Sequence, residues 1–418
     1  LSSAAIQKKG LTSAQQSNLF WLNVLMGTFL TIVVASAAPL IASFYDKPEL
    51  VKVTLVLSLS FIITSFGTQH GAMLVRRMQF ARYSGAKIAG AVATLIISVV
   101  LALKGYSYWS LVWGTVAGTV VTTALILVLS PFRPGLPSRG CGMRELVGFG
   151  ANVTAFNFVN YFGRNLDNIL IGRFVGADAL GLYSRAYQLL LFPITNLRAP
   201  ILSVAFPAMS RLDSKSEDFR RYYCRIVELL AWVTMPLMGW MYVASDEIIN
   251  IVLGPNWAAV GPIFSILAIV GFIQPIASLR GLILLSSGQA RRNLYAGLIG
   301  AATVSLGFVI GVYWGVLGVA WSYACSIWVF LIPMQFYCSK GTSVRGLDIA
   351  RAAKIPFLLS IVQIILCQIM KQNMCGVPEA IVVGSLALLV LTMTIVFYIL
   401  FPENRKFILQ SFTSLRLN

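Results

Sequence analysis

Charged residues are scarce in this chain of 418 amino acids: Lys, Arg, Asp and Glu together make up 11% of it. Apolar residues make up 58%, and the mean hydropathy is +0.81. A water-soluble domain cannot bury that much apolar surface, so a soluble fold is excluded. The composition predicts an all-α integral membrane protein, because long apolar runs satisfy their backbone groups in lipid by forming helices.

Residues typical of catalytic and metal sites are also few. His70 is the only histidine, so a histidine-based metal centre cannot be built from this chain alone. No GxxxxGK[ST] motif is present, which excludes an ATPase of that type. The six cysteines have no CxxC spacing and support neither a metal site nor a disulfide framework; they are Cys141, Cys224, Cys325, Cys338, Cys367 and Cys375. The chain is therefore predicted not to be an enzyme and to need no metal or other cofactor.

The apolar residues are arranged in runs long enough to cross a membrane. Runs of at least about 18 mostly apolar residues each predict one spanning helix. By this criterion the chain has twelve spans, at 18–44, 51–75, 86–104, 106–130, 146–172, 179–207, 222–244, 259–286, 294–313, 315–338, 355–371 and 378–401.

The formal net charge of +18 would suggest nucleic acid in a soluble protein, but its distribution indicates membrane topology instead. Of the 32 Lys and Arg residues, 23 lie in every second connector and only five in the connectors between them. Cytoplasmic loops carry such an excess of basic residues, so the first set of connectors is predicted to be cytoplasmic. The same pattern argues against nucleic-acid binding.

An internal repeat predicts two related halves. Residues 57–105 align without a gap with 267–315, and 11 of the 49 positions are identical, among them Gly71 with Gly281 and Gln79 with Gln289. Two copies in a membrane chain predict a transporter with two lobes in the same orientation and a site between them. The first copy has no counterpart of the spans 146–172 and 179–207, so we expect about 65 residues with two further helices to precede residue 1.

The expected protein thus has two six-helix lobes and two C-terminal helices, fourteen in all, of which about twelve are present here. The Pro- and Gly-rich stretch 131–145 is predicted to be a cytoplasmic hinge or surface strap between the lobes. The pattern of 343–354 fits a short amphipathic helix on the inner leaflet or a simple charged connector. The predicted segments are 1–130 (first lobe), 131–145 (linker), 146–338 (second lobe), 339–354 (cytoplasmic connector), 355–401 (C-terminal helices) and 402–418 (cytoplasmic tail).

The span 146–172 is unusually polar. Five of its residues fall within an arc of roughly 100° on a helix: Asn157, Asn160, Arg164, Asp167 and Asn168. An ionisable group facing lipid costs at least about 2.5–3.5 kcal/mol, so this face must meet protein or water. One interpretation is the wall of a polar cavity. The other is a hydrogen-bonded seam between helices, with Arg164 and Asp167 paired locally.

Other polar residues lie within later spans and in the repeat. Gln188 and Arg198 fall in the next helix, and the repeat aligns His70 with Arg280, near Gln69 and Gln274. Equivalent positions in two lobes could line a shared cavity, although isolated, satisfied core residues explain them equally well. Because arginine binds phosphate and carboxylate through two parallel hydrogen bonds, a cavity with these arginines predicts an anionic cargo that also carries hydroxyl or amide groups.

The chain resembles the Wzx-type polysaccharide flippases of the multidrug/oligosaccharidyl-lipid/polysaccharide exporter superfamily. The resemblance rests on the run from Asn165 to Tyr187 followed by Pro193, on Pro200-Ile201, Phe206-Pro207-Ala208 and Leu253-Gly254 with Trp257, and on the stretches 1–7 and 20–23. The branch that serves colanic and teichuronic acid is the most similar. The resemblance implies a MATE-like carrier in the bacterial cytoplasmic membrane. Such a carrier moves undecaprenyl-diphosphate-linked oligosaccharide to the outer leaflet by alternating access, with cavity arginines engaging the diphosphate.

Other functions remain open at this level. Within transport, the alternative is a cation exporter of the same superfamily or a flippase for peptidoglycan precursors. Outside transport, a membrane glycosyltransferase or polymerase would need a catalytic constellation that we do not find. Asp167 could bind a coupling ion, H⁺ or Na⁺, or neutralise Arg164. The expected partners are the lipid-linked oligosaccharide, the bilayer, and a polysaccharide polymerase and glycosyltransferases, with the chain acting as a monomer.

Overall fold

The computed structural model describes residues 12–138, 143, 147, 161, 165–374 and 376–400, and these contain helices and turns but no β-strand. The chain divides into two compact units, Leu1–Phe162 and Gly163–Asn418. Within the described ranges, ten stretches are long and apolar enough to cross a membrane by length and composition. One of them, Ala290–Ser339, contains two of the predicted spans, and the predicted span 146–172 lies mainly outside the described residues.

The first unit contains four long helices. They are α1 Ser13–Tyr45, α2 Glu49–Arg76, α3 Phe80–Leu103 and α4 Trp109–Leu129. A capping box begins α1, since the Thr12 hydroxyl accepts from Gln15 N (3.3 Å) and the Gln15 side chain accepts from Thr12 N (3.2 Å). Helix α1 ends at Asp46, whose backbone is in the left-handed conformation.

Helices α3 and α4 pack in close antiparallel contact through glycines that face Ser or Thr. A Cβ added at Gly90 would lie 1.7 Å from Thr122 Oγ1, and one at Gly118 would lie 1.8 Å from Thr94 Oγ1. One turn further along, Gly114 faces Ser98. Small residues allow two membrane helices to approach until their backbones are in contact. We call this set of contacts the glycine–hydroxyl zipper.

The linker after α4 lies across α1 as far as residue 138. Asn18 donates to Ser138 O (2.7 Å) and accepts from Ser138 N (2.9 Å), while Trp21 Nε1 donates to Gly135 O (2.9 Å). Ser17 Oγ accepts from Gly135 N (2.9 Å). The extended backbone of 131–138 thus finds its hydrogen-bond partners on one face of α1, as a surface strap would.

The first described residues of the second unit, 165–174, are helical and are named α5 here. The helices that follow are α6 Ala177–Ser210, α7 Glu217–Val243, α8 Ser245–Leu253, α9 Val260–Ser278, α10 Arg280–Ser286, α11 Ala290–Gly311, α12 Gly315–Ser339, α13 Gly346–Gln372 and α14 Glu379–Leu400. Helix α9 lies at the centre, in contact with α6, α7 and α12. Most of its residues are buried, for example Phe264, Leu267 and Val270.

The predicted repeat is matched by the packing of the second unit. Helices α11 and α12 form an antiparallel pair in which Gly307 faces Ser326 and Gly311 faces Ser322. This is the same kind of zipper as between α3 and α4, at the equivalent place in the order of helices. The two units therefore share a packing device as well as a sequence pattern.

Two elements differ from the predicted boundaries. The predicted span 259–286 is interrupted at Leu279, between α9 and α10. Pro275, which lacks a backbone N–H, lies in the last turn before the interruption. The segment 343–354, predicted as a short amphipathic helix or a charged connector, is helical from Gly346 onward and forms the first turns of α13. At the start of this helix the Asp348 carboxylate accepts a hydrogen bond from Arg345 N (2.9 Å).

The C-terminal helices are attached to the second unit at both ends of α13. Near its start, Arg220 Nε lies 3.1 Å from Asp348 Oδ2. Near its end, Lys371 Nζ donates to Val243 O (2.8 Å) and to Glu247 Oε2 (2.9 Å). Between these points α13 packs along α7, where Ile364 contacts Gly239.

Candidate functional site

The candidate site residues lie in both units, and each unit is considered by itself. Gln69 and His70 lie on α2 of the first unit. Asp167, Asn168, Gln188, Arg198, Gln274 and Arg280 lie in the second. Asn157, Asn160 and Arg164 fall outside the described residues, and with them the predicted Arg164–Asp167 pair.

His70 is packed among aromatic side chains in the first unit. It is 3% exposed, and its ring centroid lies 5.6 Å from that of Phe20 and 5.0 Å from that of Phe132, edge to face in both cases. His70 Nδ1 lies 3.0 Å from Phe66 O. This environment favours the second of the two interpretations for His70, a satisfied core residue.

Gln69, the neighbour of His70 on α2, is also buried. Its side chain is fully buried, and neither amide atom has a hydrogen-bond partner in the part of the chain that the structure describes. Asn23 on α1 is also buried with an unpaired Nδ2. Gly27 contacts Ser65, and one antiparallel turn from that contact Asn23 comes opposite Gln69. Unpaired buried amides cost about 1–3 kcal/mol each, so this position on the α1–α2 interface has unused binding capacity.

Asp167, the one acidic residue among the candidates, is buried with 2% exposure. Tyr183 OH donates to Asp167 Oδ2 (3.0 Å), and Asn168 N donates to Asp167 Oδ1 (2.8 Å). Asn168 in turn accepts from Ser184 Oγ (3.4 Å). Two adjacent residues of α5 therefore bond two adjacent residues of α6, because the tight connection at Gly176 brings these helix ends together.

Tyrosine side chains continue from Asp167 into the second unit. The rings of Tyr183 and Tyr187 are stacked at 6.0 Å, and Tyr187 lies 6.2 Å from Tyr323 on α12. Gln274 Nε2 donates to Tyr323 OH (3.2 Å). The structure thus connects Asp167 with Gln274, two candidates that are far apart in the sequence.

Arg280 begins α10 and is half-buried. It forms no hydrogen bond or ion pair with any residue that the structure describes. Its guanidinium lies beside Gly300, where an added Cβ would be 3.5 Å from Arg280 Nη2 and from the Phe330 ring. A half-buried guanidinium without an acidic partner is a suitable binding group for an anion.

One face of α6 exposes a strip of polar side chains. Arg185 and Gln188 are exposed and joined by a 3.2 Å hydrogen bond, and Thr195 and Asn196 are exposed further along. Phe192, 71% exposed, lies within the same strip. Arg198 is half-buried and lies on another side of α6, since two residues rotate a helix by about 200° from Asn196. Because α6 is long and apolar enough to span a membrane, such a strip would be costly against lipid. It is suited to water or a polar ligand.

Sequence reasoning missed the roles of Tyr323 and Ser184, since their partners come from other helices. It also missed a group of threonines in the first unit. Thr115, Thr119 and Thr123 are spaced four residues apart on α4, which places them on one helix face. That spacing is the signal that could have revealed them.

Comparison with known proteins assigns the family. Residues 1–262 match the family described as Polysaccharide biosynthesis protein. The chain belongs to this family. It is similar to the teichuronic acid biosynthesis protein TuaB of Bacillus subtilis (strain 168), with 31% identity over 350 residues, covering 79% of this chain and 69% of TuaB. It is also similar to the lipopolysaccharide biosynthesis protein WzxC of Escherichia coli (strain K12), with 25% identity over 295 residues, covering 69% of this chain and 59% of WzxC.

Solved structures show the fold of this polysaccharide biosynthesis protein. The inward closed conformation of the lipid II flippase MurJ is similar with a TM-score of 0.73 at 15% identity, covering 95% of this chain and 87% of MurJ. An inward-facing multidrug resistance MATE family transporter of the MOP superfamily has a TM-score of 0.61 at 15% identity, covering 87% of this chain and 84% of that one. The predicted all-α, MATE-like fold is confirmed, and the chain is a multi-pass inner-membrane protein.

Proposed function

We propose that this protein translocates undecaprenyl-diphosphate-linked oligosaccharide across the bacterial cytoplasmic membrane by alternating access. The observation that carries the proposal is the polar strip of α6, with Arg185, Gln188 and Asn196 exposed on a helix otherwise suited to lipid. A hydrophilic, anionic cargo would contact these side chains in place of lipid. Membership of the polysaccharide biosynthesis family supports the choice of a glycan.

In this proposal Arg280 and Arg198 bind the diphosphate, because guanidinium groups donate paired hydrogen bonds to phosphate oxygens. Gln188, Gln274 and Asn168 bind sugar hydroxyls or amides. Asn157, Asn160 and Arg164 remain candidate cargo-binding residues in this proposal, and so does Gln69 in the first unit, whereas His70 has a structural role. Asp167 binds the coupling ion, H⁺ or Na⁺.

The protein performs transport rather than catalysis in this proposal. Glycosyltransferases that build the cargo and a polymerase that extends it are separate partner proteins, and the carrier acts as a monomer in the bilayer. We propose that its working form has two six-helix lobes joined by the linker 131–145, with the C-terminal helices attached to the second lobe.

The proposal is tested at Arg280. We expect Arg280→Ala to reduce translocation roughly tenfold or more, because a lost hydrogen bond to a charged group costs about 1.5–3 kcal/mol. Arg280→Lys should retain part of the activity. The measurement is surface polysaccharide per amount of protein in the membrane, in cells that lack the native gene. Arg164→Ala is expected to behave in the same way.

Arg291→Ala is the matched control, because Arg291 is exposed and bonds only its own-helix neighbour Tyr295 among the described residues. It should leave surface polysaccharide unchanged. Normal polysaccharide in Arg280→Ala and Arg164→Ala cells would rule out the cavity assignment.

A further inference from the structure

The first unit contains a cleft that none of the roles above uses. It has a volume of about 500 Å³ and lies among α2, α3 and α4. Helix α4 packs against both α2 and α3 and forms its floor. Seven of the lining residues are threonines, and Tyr83 and Lys87 complete its polar surface. Ligand pockets in proteins have volumes of about 300–1,000 Å³, so the cleft is large enough for a small polar group.

The hydroxyl groups in this cleft are oriented to accept hydrogen bonds. Thr68 donates to Thr64 O (2.9 Å), Thr94 to Gly90 O (3.0 Å) and Thr119 to Thr115 O (2.8 Å). Each of these protons is used within its own helix. This leaves the oxygen lone pairs of Thr68 and Thr119 available, whereas the Thr94 oxygen packs against Gly118 in the zipper. A ligand that carries many hydrogen-bond donors therefore fits this wall.

Thr123 adds a further hydroxyl group to the cleft. It lines the cleft and is only 7% exposed. Its hydroxyl has no hydrogen-bond partner among the residues that the structure describes, whereas the other buried threonine, Thr234 in the second unit, bonds its own helix. A hydroxyl that lines the cleft without a partner in the protein can bond water or a ligand there.

The equivalent position in the second unit has different side chains. The repeat aligns Gly90 with Gly300, Thr94 with Val304 and Lys87 with Gly297. Around Gly300 lie the Arg280 guanidinium and the Phe330 ring, each 3.5 Å from an added Cβ. At Gly90 the first copy is tightly packed, since an added Cβ would lie 1.7 Å from Thr122 Oγ1, and the hydroxyl groups around it replace the arginine and the aromatic ring of the second copy. The hydroxyl lining is thus a property of the first unit.

We propose that this cleft binds one sugar residue of the transported oligosaccharide. Sugar hydroxyls donate to the oxygens of Thr68, Thr119 and Thr123, and Lys87 donates to a ring oxygen or a carboxylate of the sugar. The Lys87 ammonium lies 4.7 Å from the centroid of the Tyr83 ring, a contact that orders its side chain at the cleft. This inference rests on the proposed function and adds a site that recognises the sugar rather than the diphosphate.

The test compares two lipids on the intact protein in nanodiscs. The first is undecaprenyl-diphosphate-linked oligosaccharide extracted from the producing cells, and the second is undecaprenyl diphosphate without sugar. We expect Thr119→Val and Thr68→Val to weaken binding of the first lipid by roughly threefold to tenfold, the effect of one or two hydrogen bonds. Binding of the second lipid should not change. Thr119→Ser, which keeps the hydroxyl, should restore the affinity.

Thr28→Val is the matched control, because Thr28 also bonds its own helix (to Val24 O, 2.9 Å) and does not line the cleft. Valine has nearly the shape of threonine, so all variants should keep the wild-type melting temperature.

If the wild type binds neither lipid, the proposed function fails. If it binds the glycosylated lipid and the Thr68 and Thr119 variants bind it equally well, only the cleft assignment fails.

Access to the cleft is tested separately with Thr119→Cys. A membrane-impermeant maleimide should label this residue, as located by mass spectrometry, and the glycosylated lipid should slow the reaction. No labelling at position 119 would mean that another protein segment covers the cleft, which would overturn the inference.

Discussion

At the scale of single residues, the second unit separates a buried acid from an accessible base. Asp167 is 2% exposed and receives hydrogen bonds from Tyr183 OH and Asn168 N, whereas Arg280 has no acidic partner in the described ranges. Among the described residues, the acid thus receives hydrogen bonds from neutral donors, and the base is left available for an anion. Intramembrane ionisable groups with this arrangement are typical of transport pathways.

Asp167 is expected to couple transport to an ion gradient. Asp167→Asn should abolish stimulation of lipid-linked oligosaccharide translocation by an imposed H⁺ or Na⁺ gradient, because the amide cannot bind either cation in the same way. Substrate binding should remain. The measurement is translocation in proteoliposomes with each gradient imposed in turn.

Asp178→Asn serves as the control, since Asp178 is exposed in the first turn of α6. Gradient-dependent transport by the Asp167→Asn protein would show that Asp167 has only a structural role.

At the scale of helices, the glycine–hydroxyl zipper determines how closely α3 and α4 pack. At Gly90 an added Cβ would lie 2.8 Å from the backbone oxygen of Gly118, which a side-chain rotation cannot relieve. We expect Gly90→Ala to lower the free energy of unfolding by about 1–3 kcal/mol, the usual cost of overpacking. Thermal unfolding in detergent is the measurement.

Gly85 on the same helix has open space around it, so Gly85→Ala should not destabilise the protein. Equal melting temperatures for Gly90→Ala and the wild type would show that the two helices can separate without cost.

Helix existence could be predicted from the sequence more reliably than helix boundaries. Apolar runs predicted the long helices because a run of this kind is a local property. The interruption at Leu279 and the continuation of α13 back to Gly346 could not be read from hydropathy. The position at which α13 starts depends on Asp348, whose carboxylate accepts from Arg345 N and pairs with Arg220 on another helix.

At the scale of the whole molecule, the C-terminal helices belong to the second unit. Lys371, 25% exposed, pairs with Glu247, 15% exposed, and the Lys371 ammonium also bonds Val243 O at the end of α7. Partly buried pairs of this kind are stronger than surface pairs, because solvent screens them less. The two helices should therefore move with the second unit.

A double-mutant cycle with Lys371→Met and Glu247→Gln tests this attachment. We expect a coupling free energy of about 0.5–3 kcal/mol between these residues, measured by unfolding in detergent. The exposed pair Arg221–Asp218 on α7, with side chains 72% and 68% exposed, is the control and should show no measurable coupling. Additive effects at Lys371 and Glu247 would indicate that packing against α7 alone holds the C-terminal helices.

The sequence by itself determined that the chain is an all-helical membrane protein with an internal repeat, because hydropathy, charge distribution and spacing are local properties. Only the tertiary structure decided which polar side chains are buried among partners and which are open. His70 aligns with Arg280 in the repeat, yet it is enclosed by Phe20 and Phe132, while Arg280 has no acidic partner among the described residues. The threonines of the cleft likewise come from three helices. Burial depends on contacts between residues that are distant in the sequence, and these contacts cannot be read from the order of the residues alone.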